Sequence, residues 1–241
     1  MAELVLFDLD DTLFAHRESV EAGIAAHRSL LGGALAAADR DAEAARWNAL
    51  EELHYHRYLS GELDYLGQRR ARARDFLAPH GIELVDDAAA EAWFEAFVVH
   101  YTEAWALHDD VAACLDALAP ARIGIITNGH RAFQDAKIAA LGLERWVEDV
   151  IASGEVGVTK PDPRIFALAC ERFGVTAADA VYVGDRLHTD AIGAARAGLR
   201  GVWIDRRGVA TRDELAEAAA EGADVIRSLS QLPGLLARDE N

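Results

Sequence analysis

Residues 4 to 14, LVLFDLDDTLF, drive an unbroken apolar run straight into three carboxylates, Asp8, Asp10 and Asp11. Such a run needs cover on both faces, as a strand inside a parallel sheet has. The charges that end it work against one another. Two carboxylates 4 Å apart repel by about 4 kcal/mol at an effective dielectric of 20. A strand ending this way has to meet something cationic.

Four further β-rich runs follow much later: RIGIITN, VEDVIASGE, AVYVGD and GVWID. Helical patterns separate them, notably RAFQDAKIAALG, DPRIFALACERFG and TDAIGAARAG, and each closes on a glycine, Gly142, Gly174 and Gly198. Strand and helix in alternation predict an α/β, Rossmann-like parallel sheet with helices on both faces. Residues 15 to 107 carry no strand signal. Their apolar spacing, Val20/Ile24 and Trp93/Phe94/Phe97/Val98/Tyr101/Trp105, is helical throughout. The expectation is an all-helical cap domain over 15–107, inserted into a core formed by 1–14 and 108–241. The aromatic stripe reads as packing between its helices.

With 241 residues, half of them hydrophobic, the chain can bury a substantial core. It contains no apolar stretch of about 18 residues for a membrane span, and its start lacks the basic flank and apolar run of a signal peptide. A cytoplasmic location is expected. Cys114 and Cys170 lie far apart among apolar residues, without metal-ligand spacing, and read as reduced core residues. The net charge of −17 argues against nucleic-acid polymers and anionic membranes as partners. Small anionic substrates stay open, because one metal or lysine reverses the field locally. With no marked apolar seam, a monomer or homodimer is expected.

Ligands of an open parallel sheet bind outside the carboxyl ends of its strands. Four such ends here are chemically loaded. The first carries Asp8 and Asp10, which leave the strand on one side of Leu9. The second carries Thr127, Asn128 and Gly129, a hydroxyl and turn N–H groups suited to an anion. The third is GVTKPDP, with Lys160 one of only two lysines in an arginine-using chain; the fourth is GDRLHTD, with Asp185 and Asp190. Each motif alone has an ordinary structural reading as a turn or cap. Together they are carboxylates that want a divalent cation and a lysine and hydroxyl that want a phosphate, and an all-oxygen set of this kind suits Mg²⁺.

DLDDT at 8–12, TNG at 127–129, KP at 160–161 and GDRLHTD at 184–190, in this order, resemble the haloacid dehalogenase-like hydrolase superfamily, in the branch with a helical cap after the first strand. The resemblance implies that Asp8 is the nucleophile and Asp10 the general acid and base, with Thr127, Asn128, Gly129 and Lys160 at the phosphate. Asp8, the Asp10 backbone carbonyl and Asp185 would ligate Mg²⁺, with Asp190 in support. Arg186 stands where many members carry a small polar residue and is expected to point outward or pair locally. Asp11 is expected in the local turn, and Thr12 steadying Asp10 or backbone.

A halide leaves without a proton whereas an alkoxide needs one, so Asp10 favours dephosphorylation over dehalogenation. The stretches IITNGHRAFQDAKIAALGL and EVGVTKPDPRIF resemble the nucleoside-5′-monophosphate and N-acylneuraminate-9-phosphate phosphatases in particular. The resulting expectation is a Mg²⁺-dependent phosphomonoesterase that forms an aspartyl-phosphate, its partner a small phosphorylated metabolite. A sugar phosphomutase and an idle binding or regulatory protein are the alternatives. Substrate choice would fall to the cap, where His16, Arg17, Tyr58, Arg69, Arg70 and Arg72 are candidates; arginines spaced among acids also make an ordinary solvated face.

Overall fold

Strand β1, Leu4–Phe7, has all four side chains fully buried, as its uninterrupted apolar run requires. In the computed structural model, which describes residues 2–237, it is the centre of a six-stranded parallel sheet. The other strands are β2, Arg122–Thr127; β3, Val147–Ala152; β4, Ala180–Gly184; β5, Arg200–Ile204; and β6, Asp224–Ile226. Their order is β3-β2-β1-β4-β5-β6, with Phe7 opposite Ile125 on one side and Val183 on the other. Strand order reverses between β1 and β4, the switch point where such sheets hold ligands. The Asp8 N–H donates to the Val183 carbonyl at 2.8 Å across that point.

Helix Pro163–Phe173 illustrates how the faces are covered. Asp162 caps its start by accepting from the Arg164 N–H, Pro163 fits the first turn, and Gly174 ends it at φ 65°. Its stripe Ile165, Phe166, Ala169, Cys170 and Phe173 packs with Leu4, Leu6 and Tyr182. The helices before Gly142 and Gly198 end as their sequences predict, at Ala140 and Arg196. The segment after β4 departs from a plain helix: Leu187–Ile192 is a wide π-helical turn that runs on into Gly193–Arg196. π-turns of this kind concentrate at functional sites.

The chain divides into two compact units, Met1–Ala15 with Ala106–Asn241, and His16–Trp105. The described residues of the second contain helices only, the longer ones being His16–Leu31, Arg40–Leu59, Tyr65–Leu77 and Asp87–Glu103. Asp39, Asp64 and Asp86 each cap a helix start with a carboxylate. Ala15, Ala106 and Leu107, expected in the insertion, lie with the sheet unit. The Ala15 N–H donates to the Ala106 carbonyl at 2.9 Å, and Phe14 bridges Leu107. Trp47 is the hub of the helical unit, its ring edge-on to Phe76 at 5.0 Å and Phe97 at 4.7 Å, with Trp93 and Phe94 close by. Trp93, Phe94, Phe97 and Tyr101 of the aromatic stripe are buried there.

Candidate active site

Lys160 reaches across the sheet to three oxygens. Its Nζ donates to Asp8 Oδ1 at 2.6 Å, Tyr182 Oη at 2.7 Å and Asp190 Oδ1 at 2.7 Å, which uses every proton an ammonium has. Burial works to lower its pKa, but the Asp190 and Asp8 carboxylates outweigh burial and hold it above the usual lysine range. Negative charge is nevertheless in excess. One oxygen each from Asp8, Asp185 and Asp190 lie within 4.8 Å of one another. Burial pushes Asp8 up, Lys160 pulls it back, and repulsion from Asp190 and Asp10 leaves it at about 7. Asp185 is raised well above the carboxylate range by burial and then by Asp190 and Asp8. Three hard oxygen donors with a surplus of negative charge fit Mg²⁺.

The local sequence explains how these groups converge. Gly184 ends β4, and a Cβ there would lie 2.4 Å from the Asp190 side chain, so only glycine lets the π-turn fold Asp190 back over the strand end. Asp190 Oδ2 then accepts from the Arg186 N–H at 3.0 Å, while the Arg186 side chain is exposed. Asn128, expected at the phosphate, also supports Lys160 with its side chain. Its Oδ1 accepts from the Lys160 N–H at 2.8 Å and its Nδ2 donates to the Lys160 carbonyl at 3.0 Å, so it clamps the lysine's backbone. Thr127 ends β2 with its hydroxyl buried and accepting from Gln134 Nε2 at 2.8 Å.

Asp10, near enough to repel Asp8, has cationic and amide partners of its own. Lys137 Nζ donates to its Oδ1 at 2.6 Å, and Gln134 Nε2 to its Oδ2 at 3.3 Å. Neither residue is legible in the four motifs. One signal was present: Gln134, Lys137 and Ile138 share a helix stripe, so polar groups occupy a face that should be apolar, and all three are buried. Gly129 makes room for this amide, since a Cβ there would lie 2.6 Å from Gln134 Nε2. Tyr182, the third partner of Lys160, was likewise hidden inside an apolar strand.

The turn after Asp10 is held from outside. Asp11 has φ 58°, the left-handed region, and its N–H donates to the Phe14 carbonyl at 2.8 Å. Arg206 donates to the Thr12 carbonyl at 2.6 Å and pairs with Asp110 at 3.0 Å. Asp110 in turn accepts from the Ser228 hydroxyl and the Leu229 N–H. The Thr12 hydroxyl, expected to steady Asp10 or backbone, is buried with no hydrogen-bond partner among the described residues.

In the helical unit the candidate residues are engaged with one another. His16 Nδ1 lies 2.9 Å from the Tyr101 hydroxyl, and its Nε2 lies 3.5 Å from Glu51. Arg72 is buried against Glu51 at 2.6 Å with the Trp47 and Phe94 rings 4.9 Å away, so it is no solvated surface arginine. Arg69 pairs with Glu95 at 3.0 Å over the Tyr65 ring, and Arg70 with Asp87 at 2.7 Å. Arg17 lies 3.9 Å from Glu21, and Tyr58 packs beside Tyr55 and Tyr65. No helix among the described residues is long and apolar enough to cross a membrane.

Residues 2–198 match the family model of the haloacid dehalogenase-like hydrolases. The chain is 33% identical over 211 residues to the glyceraldehyde 3-phosphate phosphatase of Methanopyrus kandleri, covering 86% of this chain and 85% of that one. It is 34% identical to the human N-acylneuraminate-9-phosphatase over 146 residues, which is 60% of this chain and 56% of the human enzyme. Other phosphatase relatives align over about half their length or less. Among solved structures, the HAD-hydrolase YfnB of Bacillus subtilis, bound to magnesium, shares the fold with a TM-score of 0.78 at 21% identity, covering 98% of both chains. The L-2-haloacid dehalogenase of Xanthobacter autotrophicus does so with a TM-score of 0.71 at 24% identity, covering 98% of this chain and 99% of that one. The chain belongs to the haloacid dehalogenase-like hydrolase family.

Proposed function

We propose that this chain is a Mg²⁺-dependent phosphomonoesterase that hydrolyses a small phosphorylated metabolite through an aspartyl-phosphate on Asp8. The observation that carries the reading is the separation of two carboxylates by environment. Asp8 is buried against Lys160 beside Asp185 and Asp190, whereas Asp10 is partly exposed and held by Lys137 and Gln134. Two carboxyls set two residues apart in different surroundings suit two different tasks.

An Asp8 oxygen attacks phosphorus while the bond to the leaving oxygen breaks, and the proton on Asp10 passes to the departing alkoxide. Asp10, now a carboxylate, takes a proton from water as that water attacks the same phosphorus. The bond to Asp8 breaks, phosphate leaves, and both carboxyls return to their starting state. As Asp8 attacks, Lys160 exchanges its hydrogen bond to Asp8 for one to a phosphoryl oxygen and offsets that group's charge, while the Thr127 hydroxyl donates to another phosphoryl oxygen. Asp8, the Asp10 backbone carbonyl and Asp185 would hold Mg²⁺, with Asp190 keeping Lys160 in place; the ion would supply charge stabilisation to the phosphoryl group.

Dehalogenases share this fold, but a halide needs no proton and would leave Asp10 without work. The phosphatase names of the relatives support a phosphate ester, and the span of their substrates makes a three-carbon phosphate and a sugar-acid phosphate equal candidates. The helical unit is the candidate cap for choosing between them. Buried, unpaired Cys114 and Cys170 suit a reducing compartment such as the cytoplasm.

The test is phosphate release from glyceraldehyde 3-phosphate, N-acylneuraminate 9-phosphate, phosphoserine and nucleoside monophosphates. Each is run with Mg²⁺, with EDTA, and with Asp8→Asn. Release that needs both Mg²⁺ and Asp8 is expected. Release that survives Asp8→Asn would overturn the nucleophile, and turnover unaffected by EDTA would overturn the metal.

A further inference from the structure

The chain has two lysines, and each is spent on a different aspartate of the same strand end. Lys160 is bound to Asp8 and Lys137 to Asp10, both at 2.6 Å and both with side chains only 3% exposed. Burying a lysine is costly unless it is paired. Lys137 accepts that cost on a helix, Arg131–Ala140, whose stripe would close more simply with an aliphatic residue. The Phe14 ring lies 4.9 Å from its Nζ and the Phe133 ring 5.2 Å, two apolar walls that leave the ammonium aimed at Asp10.

Gln134, one turn earlier, completes the grip. Its amide donates both to Asp10 Oδ2 at 3.3 Å and to Thr127 Oγ1 at 2.8 Å, and so ties the second aspartate to the hydroxyl at the end of β2. Each oxygen of the Asp10 carboxyl therefore has its own donor from one helix. Partly exposed, with its side chain at 31%, Asp10 has room to swing away unless something fixes it. A proton donor displaced by about 1 Å can lose on the order of 10²-fold in rate.

We infer that Lys137, assisted by Gln134, is a positioning residue that holds Asp10 in the geometry for proton transfer to the leaving group and from the attacking water. The inference rests on the phosphatase reading and goes beyond it by adding two residues outside the four motifs. Its signature is selective. Formation of the aspartyl-phosphate needs the proton of Asp10 when the leaving group is an alkoxide, and hardly at all when it is a nitrophenolate. Hydrolysis of the aspartyl-phosphate needs Asp10 in both cases.

The experiment compares wild type, Lys137→Met, Lys137→Arg and Gln134→Leu on an alkyl phosphate that the wild type hydrolyses and on p-nitrophenyl phosphate, with Mg²⁺ present. In Lys137→Met, kcat/KM for the alkyl ester is expected to fall about 10²-fold and that for the aryl ester by less than about tenfold. The aryl ester is expected to give a burst of nitrophenolate followed by slow turnover. Lys137→Arg should restore part of the loss, and Gln134→Leu should show the same selectivity in smaller measure. Equal losses on both esters, or no loss, in a protein whose turnover depends on Asp8 would overturn the assignment and leave the phosphatase reading standing. A wild type with no Asp8-dependent turnover of either ester would instead overturn that reading, and the assignment with it.

Discussion

Lys160 in the sheet unit and Arg72 in the helical unit are buried to similar depth, with 3% and 7% of their side chains exposed, yet their surroundings differ in kind. Lys160 sits among oxygens that carry more negative charge than it can neutralise, and burial first, then repulsion among those carboxylates, pushes Asp8 and Asp185 up. Arg72 sits between two aromatic rings with Glu51, and there the account closes: burial would raise Glu51, but Arg72 and His16 together hold it well below the carboxylate range. A buried charge that is balanced acts as a packing strut. A buried charge left in surplus marks a place that something from solution completes.

The comparison breaks most visibly at Asp8. Asp8→Asn is expected to lower phosphate release by at least about 10⁴-fold while the fold persists, because the removed charge was in surplus. Full activity in this variant would mean that the sheet unit's charge excess is not chemical. In the helical unit the large effects should fall on stability. Trp47→Ala removes a fully buried ring contacting four others and is expected to cost about 3–5 kcal/mol in urea unfolding.

Acid sharpens the contrast, because the two units should respond with opposite sign. His27 is buried against the Trp93 ring, and burial, then His100, lowers it to about 4 from 6.5. The unfolded chain binds a proton below about pH 6.5 that folded His27 refuses. Stability should therefore fall as pH drops from 6.5 to about 4, by up to roughly 3 kcal/mol. His27→Leu should remove that slope from a melting series.

Asp8 runs the other way. At about 7 against 3.8 unfolded, the metal-free fold holds a proton that the unfolded chain has released, so stability should fall as pH rises from about 4 to about 7. Saturating Mg²⁺ should relieve that penalty and add about 2.7 kcal/mol at a hundredfold excess over its Kd. A thermal shift with Mg²⁺ that is the same at pH 5 and pH 7.5 would separate the ion from the Asp8 cluster.

Local patterns were the readable ones. Apolar runs named five of six strands, and β6, with three residues, was too short to stand out. Glycines at 142, 174 and 198 take positive φ after the helices they were expected to end, and the aromatic stripe of residues 93 to 101 packs as its spacing implies. The helical unit is one residue shorter at its start and two at its end than expected, because Ala106 and Leu107 are held by hydrogen bonding and bridging to Ala15 and Phe14, a pairing that no local pattern announces.

The sequence by itself determined that Asp8, Thr127 and Asp185 stand at the ends of β1, β2 and β4, since periodicity and turn residues act within a few positions; Lys160, expected at a strand end, instead follows a short helix, Ser153–Val156, beyond β3. Only the tertiary structure decided which of them share charge. Lys160 lies 152 residues from Asp8, and Lys137 lies 127 from Asp10. The Asn128 side chain clamps the Lys160 backbone, a contact across 32 residues of chain. A charge's role depends on what lies within a few ångströms of it in a low-dielectric interior, and those neighbours are set by the order of strands in the sheet rather than by the order of residues in the chain.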